Sequence, residues 1–246
     1  MGVQLQALAQ DLRLISDAET FWDRINSELS KYGVTSLFYG AIATKADILA
    51  NPNTKSLTWK CNHTHEFADY FGLDHLVDNC KTFEHALTET EPFMWHDLSL
   101  WDEATSQQRA QGLAERDMGL NVGFTLPTTH FTSNHYGAIG VSMEEFSPEE
   151  FDKMWPEKNQ QIIQILALLD AGMRRQHLSE VIGLSPREKE TLEWIAAGKR
   201  PDQIAHLMNI GYRTVDKYIN SAKRKLKART RDQAVAKALI FNAIEP

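Results

Sequence analysis

Cysteine is scarce in this sequence, and long apolar runs are missing. Two cysteines, Cys61 and Cys80, stand among 246 residues, which is too few for a disulfide framework and favours a reducing compartment. No stretch approaches the ~20 consecutive apolar residues that a membrane-spanning helix needs. The start of the chain lacks the basic region and cleavage site of a signal peptide. We therefore expect a cytoplasmic protein that does not bind a membrane.

Motifs of several enzyme classes are also missing. No glycine-rich phosphate loop and no acidic cluster at strand ends can be recognised, which argues against a nucleotide-binding enzyme and against an aspartate-phosphorylated receiver domain. The cysteines and histidines between residues 61 and 80 have a spacing that matches no common zinc module. Cys80 and His85 make a weak nucleophile–base pair, because no third residue that would orient the histidine is visible. The sequence therefore predicts no catalytic residue, no metal and no cofactor.

The charge of the chain is divided unevenly. Residues 183–246 carry 13 Lys and Arg against 7 Asp and Glu, a formal charge of +6. Residues 1–182 carry the remaining 13 and 26, a formal charge of −13. This asymmetry is typical of a basic nucleic-acid-binding end attached to an acidic domain.

The basic end predicts four short helices between residues 184 and 243. Ser185 and Glu188 have the spacing of a capping box, with a proline in the first turn between them. Gly198 ends this first helix. Asp202 is expected to cap the second helix, which a tight turn then separates from the third.

The third of these helices, at about residues 213–226, has two distinct faces. Its apolar stripe consists of Val215, Ile219, Ala222 and Leu226. The other positions are basic or hydrogen-bonding, as on the recognition helix of a helix-turn-helix, which enters the major groove of double-stranded DNA. A solvated basic face on a small helical bundle is the alternative. The residues predicted to contact DNA are Lys199, Arg213, Thr214, Lys217, Tyr218, Lys223 and Arg224.

The first 176 residues predict a mixture of helices and strands. The predicted helices lie at 17–31, 63–71, 82–90, 105–118 and 148–176, and the predicted strands at 34–44, 57–61, 122–131 and 136–144. These elements do not follow strict βαβ alternation, which favours an α+β fold with an antiparallel sheet and helices packed on its faces. We expect a linker at 177–183 and a helical domain at 184–246.

The basic end also resembles the DNA-binding domain of LuxR-type regulators, over about 60 residues. The matching motifs are Leu184–Glu188, Gly198–Lys199, Ile204–Ala205, Arg213–Val215, Lys225–Leu226 and Gln233–Ala238. Three features depart from the family pattern: Arg200–Pro201, Gly211 in place of a capping serine, and Tyr218 in place of a histidine. The resemblance implies a regulator that binds promoter DNA, with RNA polymerase as a further candidate partner.

The N-terminal part resembles the autoinducer-binding domain of LuxR-type quorum-sensing regulators. The segments that carry this resemblance are Pro92–Trp95, Met118–Pro127 and Gly137–Ser142. It implies an α/β/α sandwich that binds an acyl-homoserine lactone between the sheet and one helical layer. We also expect a homodimer, because the apolar helix at 233–244 is too large for a four-helix core to cover alone. The long helix at 148–176 should add a second interface.

The resemblance further identifies candidate ligand-binding residues. Trp95 matches the tryptophan whose indole N–H reaches the lactone carbonyl, and Thr125 is retained. Without a gap, Cys80 falls on the family's aspartate, although Asp78 takes that position if the alignment slips by two residues. The full set of candidates is His63, Phe67, Phe71, Asp78, Cys80, Trp95, Trp101, Phe124, Thr125 and Gly140.

The family's own residue is replaced at five of these positions, which is typical of an orphan member of the family: His63, Phe67, Phe71, Cys80 and Gly140. A thiol is a poor hydrogen-bond acceptor, and a buried amide N–H without an acceptor costs ~1–3 kcal/mol. The sequence therefore predicts a regulator that senses a small, largely apolar molecule, either a lactone-like signal or a different ligand. A ligand-independent regulator with a self-filled pocket is the alternative. An enzyme-like Cys80/His domain fused to a DNA-binding domain is a more distant one.

Overall fold

The computed structural model describes residues 2–43, 57–63, 80–131 and 136–245. The chain divides into two compact units. The N-terminal unit comprises residues 1–14 and 19–170, and the C-terminal unit comprises residues 15–18 and 171–246. Among the helices in the described ranges, none combines the length and the apolar character needed to cross a membrane.

An antiparallel sheet forms the centre of the N-terminal unit. Its five strands within the described residues are β1 (Ser36–Ile42), β2 (Thr58–Cys61), β3 (Phe93–Met94), β4 (Gly123–Pro127) and β5 (Tyr136–Ser142). They are arranged in the order β2-β1-β5-β4-β3. The predicted pairing of the last two long strands is confirmed, with Thr125 opposite Gly140. Strand β4 ends earlier than the predicted residue 131, because residues 128–130 turn into a 3-10 helix.

Helices cover both faces of this sheet. They are α1 (Gly2–Leu14), α2 (Ala18–Leu29), α3 (Lys81–Thr88), α4 (Ser106–Asp117) and α5 (Pro148–Gly172). Short 3-10 turns lie at Ser30–Tyr32, Leu98–Trp101 and Thr128–His130. Helix α1 was not predicted, and the predicted helix at 63–71 lies almost wholly outside the described residues.

The strands β1, β4 and β5 are buried almost throughout, as expected for a sheet with helices on both sides. On one side, Phe38 belongs to an apolar cluster with Cys80 and Phe83 of the α3 region. On the other side, Tyr39 Oη donates a hydrogen bond to Asp170 Oδ1 at 2.8 Å. Neighbouring residues on a strand point to opposite faces, and this alternation produces the predicted α/β/α sandwich.

The C-terminal unit is helical. Its helices are α6 (Leu178–Ile182), α7 (Pro186–Ala196), α8 (Pro201–Leu207), α9 (Tyr212–Lys225) and α10 (Arg231–Ile240). A π-helical turn at Met173–His177 precedes them. The last four helices correspond to the four predicted ones. The segment 177–183, predicted as a linker, is mostly helical, because Leu178 and Ile182 are buried and α6 continues to Gly183, whose φ of 72° ends it.

Two helix starts in this unit differ in detail from the prediction. The predicted cap residue Asp202 lies inside the first turn of α8, and Arg200 occupies the cap position. Pro201 takes the first helical position, where its missing N–H costs nothing. Helix α9 begins after Gly211, which offers no side chain for capping, and Thr214 N–H donates instead to the Gly211 carbonyl at 2.8 Å.

Candidate functional site

A cavity of about 70 Å³ lies in the N-terminal unit, between the sheet and the helices α3 and α4. Its lining residues are Phe38, His63, Cys80, Thr82, Phe83, Trp95, Trp101, Gly112, Glu115, Arg116, Leu120, Thr125, Ala138 and Gly140. Six of the ten predicted ligand-binding residues are in this set: His63, Cys80, Trp95, Trp101, Thr125 and Gly140. The structure therefore brings these six residues together at a single site.

Trp95 and Thr125 face the cavity as a linked pair. Trp95 follows strand β3, and its indole Nε1–H donates to Thr125 Oγ1 on β4 at 2.9 Å. Gly123 makes this packing possible, since a Cβ there would meet the Trp95 ring and the Val141 carbonyl. The indole donor and the hydroxyl, expected to act on a ligand separately, satisfy each other in this structure.

Cys80 is the cap residue of α3 and is buried in the cavity wall. Its thiol lies 3.1 Å from Thr82 Oγ1 and 3.9 Å from Glu115 Oε1. Burial, reinforced by the nearby Glu115, raises the pKa of the Cys80 thiol to about 12. The thiol therefore stays protonated at neutral pH, where a thiolate would be needed for nucleophilic chemistry.

Glu115 on α4 was not among the predicted site residues. Its Oε1 accepts a hydrogen bond from Gln111 Nε2 at 3.0 Å. Burial is the main reason that the pKa of Glu115 is raised, although the hydrogen bonds from Gln111 and Cys80 oppose the shift. Polar residues at helical spacing, such as Gln108, Gln111 and Glu115, normally indicate a solvated helix face. The sequence pattern therefore predicted that Glu115 faces solvent, whereas it lines the cavity. Gly112 in mid-helix was the one available signal.

His63 and Gly140 lie on the sheet side of the cavity. The His63 ring nitrogen Nδ1 is 2.8 Å from Ser36 Oγ. Burial lowers the pKa of His63 to about 4, so the ring is neutral at pH 7. At Gly140, a Cβ would make only ordinary contacts with Phe38 and Trp95, at 3.5 and 3.6 Å. The cavity thus has room for a small side chain at this position.

Phe124 does not line the cavity, and its predicted role in the ligand pocket is wrong. It is fully buried on the opposite face of the sheet, with its ring centroid 4.6 Å from that of Trp155 on α5. The reason is the strand alternation, which turns Thr125 toward the cavity and its neighbour Phe124 away. Three further predicted residues, Phe67, Phe71 and Asp78, lie outside the described residues.

Other chemistry considered from the sequence gains no support here. His85 Nε2 lies 3.4 Å from the Glu91 carbonyl oxygen, rather than next to Cys80. Within the part of the chain that the structure describes, no group of three or more His, Cys, Asp or Glu side chains is placed to hold a metal ion.

In the C-terminal unit, α9 presents a basic outer face. Val215, Ile219 and Ala222 are buried on its inner side, whereas Arg213, Lys217, Asn220 and Arg224 are exposed. These four positions recur at helical spacing and form one stripe that is free to meet a nucleic acid. Of the remaining predicted residues, Lys199 is exposed, Thr214 and Lys223 are half-buried, and Tyr218 packs against the apolar cluster around Val215.

An ion pair between half-buried Lys225 and buried Glu188 fixes α9 to the start of α7. Ser185 and Glu188 form the predicted capping box, and Lys225 Nζ donates to Glu188 Oε2 and to the Gly183 carbonyl, both at 2.7 Å. Burial tends to raise the pKa of Glu188, but hydrogen bonds from Lys225 and Ser185 outweigh it, and the pKa lies below its ordinary value. Lys225 is therefore a structural residue, in contrast to the cations of the outer stripe.

Both units resemble domains of known proteins. Residues 182–238 match the family of bacterial regulatory proteins of the luxR type, and residues 17–169 match the autoinducer binding domain. The transcriptional regulator RpaR of Rhodopseudomonas palustris, described as quorum sensing-dependent, is 25% identical over 237 residues, covering 93% of this chain and 90% of its own. The quorum-sensing regulator RhlR of Pseudomonas aeruginosa is 25% identical over 246 residues, covering 96% and 95%.

Solved structures share the fold. A crystal structure of Escherichia coli SdiA has a TM-score of 0.54 at 17% sequence identity, with 99% of both chains covered. SdiA in complex with octanoyl-rac-glycerol has a TM-score of 0.53 at 19% identity, covering 97% of this chain and 94% of the other. With a matched autoinducer binding domain followed by a luxR-type helix-turn-helix, the chain belongs to the LuxR family of DNA-binding transcription regulators.

Proposed function

We propose that this regulator senses a small, largely apolar molecule in the cavity of its N-terminal unit and binds promoter DNA through the outer face of α9. The observation that carries the proposal is the cavity itself, which gathers Trp95, Thr125 and Gly140 around a mostly apolar space. A ligand there would be held mainly by the burial of apolar surface, worth ~25 cal/mol per Å². The structural neighbour SdiA, solved with octanoyl-rac-glycerol, supports an acyl chain as the apolar part.

The DNA-contacting residues follow from the exposed stripe. Arg213, Lys217 and Arg224 stand on the outer face of α9, where cations can reach phosphates or base edges. Among the described residues, neither Arg213 nor Lys217 forms an ion pair within the protein, which leaves both side chains available for DNA.

The test of the DNA-binding face uses the full chain and DNA fragments selected for binding. Lys217→Ala/Arg224→Ala should weaken binding to all fragments. The slope of log affinity against log salt concentration should also fall, by about 1 for each phosphate that the variant no longer neutralises. Arg13→Ala/Lys31→Ala is the matched control, because it removes two exposed cations from the N-terminal unit and should leave binding unchanged. Unchanged affinity of the first variant would show that α9 is not the recognition helix.

A second candidate function is regulation without a ligand. The cavity of about 70 Å³ is much smaller than the ~300–1,000 Å³ typical of ligand pockets. An acyl amphiphile could therefore enter only if surrounding side chains moved. One measurement distinguishes ligand sensing from regulation without a ligand. Extraction of the purified protein should release a small molecule if the cavity senses a ligand. A rise in thermal midpoint with added acyl amphiphiles would support it further, since a ligand that binds only the folded state must stabilise it.

We further infer a cytoplasmic homodimer that acts on transcription and has no catalytic activity. The relatives RpaR and RhlR are regulators, and burial raises the pKa of the Cys80 thiol, which leaves little of the thiolate that the enzyme alternative needs as its nucleophile. Dimerisation through α10 and α5 would set the spacing of two DNA half-sites. Sedimentation of the full chain with and without DNA tests this point, and a strictly monomeric protein would contradict it. RNA polymerase is a candidate partner at the promoter.

A further inference from the structure

Glu115 is the one carboxyl group among the described residues that line the cavity. Two side chains contact the same carboxyl oxygen of Glu115. Gln111, one turn earlier on α4, donates to Oε1 at 3.0 Å, and the Cys80 thiol approaches the same oxygen at 3.9 Å. Gln111 is itself buried, so this side of the carboxyl group is fixed by the packing of the unit.

The second carboxyl oxygen of Glu115 has a different environment. Within residues 2–43, 57–63, 80–131 and 136–245, no side chain or backbone group donates a hydrogen bond to Oε2. A carboxylate oxygen is a stronger acceptor than a thiol or a hydroxyl group, and hydrogen bonds to it are roughly twice as strong as neutral ones. Cys80 offers only a thiol, and the hydroxyl of Thr125 already accepts from Trp95. Among the described lining residues, Glu115 is therefore the strongest acceptor for a bound molecule.

We propose that Glu115 anchors the head group of the ligand by accepting a hydrogen bond from its N–H or O–H group. This inference rests on the proposed function of the cavity and specifies the ligand that it takes. Burial raises the pKa of Glu115, and a donor on the ligand would compensate the ionised carboxylate for the water that burial removes. The ligand thus supplies a partner that none of the described residues provides.

The head group is a neutral hydrogen-bond donor rather than a cation. Arg116 lines the same cavity as Glu115, so a positively charged head group would meet a like charge. A cation brought into this mostly apolar space would also lose its hydration shell, which is unfavourable. The ligand class is therefore an acyl chain with a neutral head group that carries an amide N–H or a hydroxyl group.

Three probes with the same acyl chain test this inference on the full chain. Octanoylglycerol carries hydroxyl donors, N-octanoyl homoserine lactone carries an amide N–H, and methyl octanoate carries no donor. The apparent dissociation constant of each is taken from the rise in thermal midpoint with probe concentration. The parent is compared with Glu115→Met, which keeps the volume and removes the acceptor, with Glu115→Gln, which keeps an acceptor oxygen, and with Glu103→Met, which removes an exposed carboxylate of the same unit.

In the parent and in Glu103→Met, at least one of the two probes with a donor, octanoylglycerol or N-octanoyl homoserine lactone, should bind at least about tenfold more tightly than methyl octanoate. That preference should disappear in Glu115→Met and persist in part in Glu115→Gln. A preference for octanoylglycerol would identify a hydroxyl head group, and a preference for N-octanoyl homoserine lactone would identify an amide. Equal affinities for all three probes in parent and Glu115→Met would overturn the role of Glu115 while leaving apolar sensing intact. A failure of every probe to stabilise the parent would contradict the proposed function, and this inference with it.

Discussion

The replacement Cys80→Asp puts the geometry of the cavity to a quantitative test. By sequence comparison alone, an aspartate at position 80 should restore a missing hydrogen-bond acceptor. In the structure, however, the Cys80 sulfur lies 3.9 Å from Glu115 Oε1, so the new carboxyl group would stand against an existing one. The two groups cannot both ionise without a cost, and we expect the variant to be less stable than the parent at neutral pH.

The size of this cost can be worked out from two limits. Two unit charges 4 Å apart repel by ~4 kcal/mol at an effective dielectric constant of about 20. The protein can avoid this repulsion by keeping one proton, which at pH 7 costs ~3.5 kcal/mol for a carboxyl group of ordinary pKa near 4.5. The smaller limit is an upper bound on the repulsion, because burial already raises the pKa of Glu115 and makes its proton easier to keep. The repulsion alone should therefore cost Cys80→Asp up to ~3 kcal/mol relative to Cys80→Asn, which has the same size without the charge.

This cost must also depend on pH in a definite direction. The crowded carboxyl groups bind a proton more tightly in the folded state than in the unfolded state, so stability falls as the pH rises. The penalty is absent below the unfolded pKa near 4.5 and fully developed above the raised folded pKa. At pH 5 the same proton costs only ~0.7 kcal/mol, so the difference between the aspartate and asparagine variants should nearly vanish.

Urea unfolding followed by tryptophan fluorescence measures this difference. Five of the six tryptophans, all except Trp194, belong to the N-terminal unit, so the signal reports mainly on that unit. In a Glu115→Gln background, the gap between Cys80→Asp and Cys80→Asn should narrow by the share that comes from repulsion, while the cost of burying the new carboxylate remains. If the gap is below ~0.5 kcal/mol at pH 7, a size typical of surface substitutions, or if it is equally large at pH 5 or in the Glu115→Gln background, the assigned proximity of the two side chains is wrong.

Three further predictions follow from other parts of the structure. Lys217→Ala should reduce the salt slope of DNA binding by about 1, as seen in titrations at several salt concentrations; an unchanged slope would place this lysine away from the phosphates. Lys225→Met should destabilise the C-terminal unit by ~1–3 kcal/mol at pH 7, because it leaves buried Glu188 without its cationic partner. Urea unfolding followed by circular dichroism should show that this loss shrinks as the pH falls through the lowered pKa of Glu188. Gly112→Ala, which usually favours a helix, should here cost ~1–3 kcal/mol, because its Cβ would overlap the Trp101 ring; a gain in thermal midpoint would refute that packing.

Local patterns in the sequence were sufficient for the helix-turn-helix unit. Its helix starts depend on residues within one turn, such as Ser185 and Glu188, and its core depends on the stripe of α9 that includes Val215 and Ile219. Each of these signals acts over a few residues, so it can be recognised without knowledge of the fold. The predicted antiparallel sheet was likewise found where alternating and β-branched runs favoured strands.

The ligand cavity, by contrast, was decided by contacts between distant parts of the chain. Sequence could not separate Phe124 from Thr125, because both suit a buried strand, and only the strand's orientation against α5 turns one away from the cavity. Glu115 was missed for the opposite reason: a polar residue on a polar helix face normally indicates solvent. Whether such a residue faces water or a cavity depends on what packs against it, and here Cys80, 35 residues earlier, is that partner. The sequence by itself therefore determined the family and the local elements, while the tertiary structure decided which side chains share the cavity.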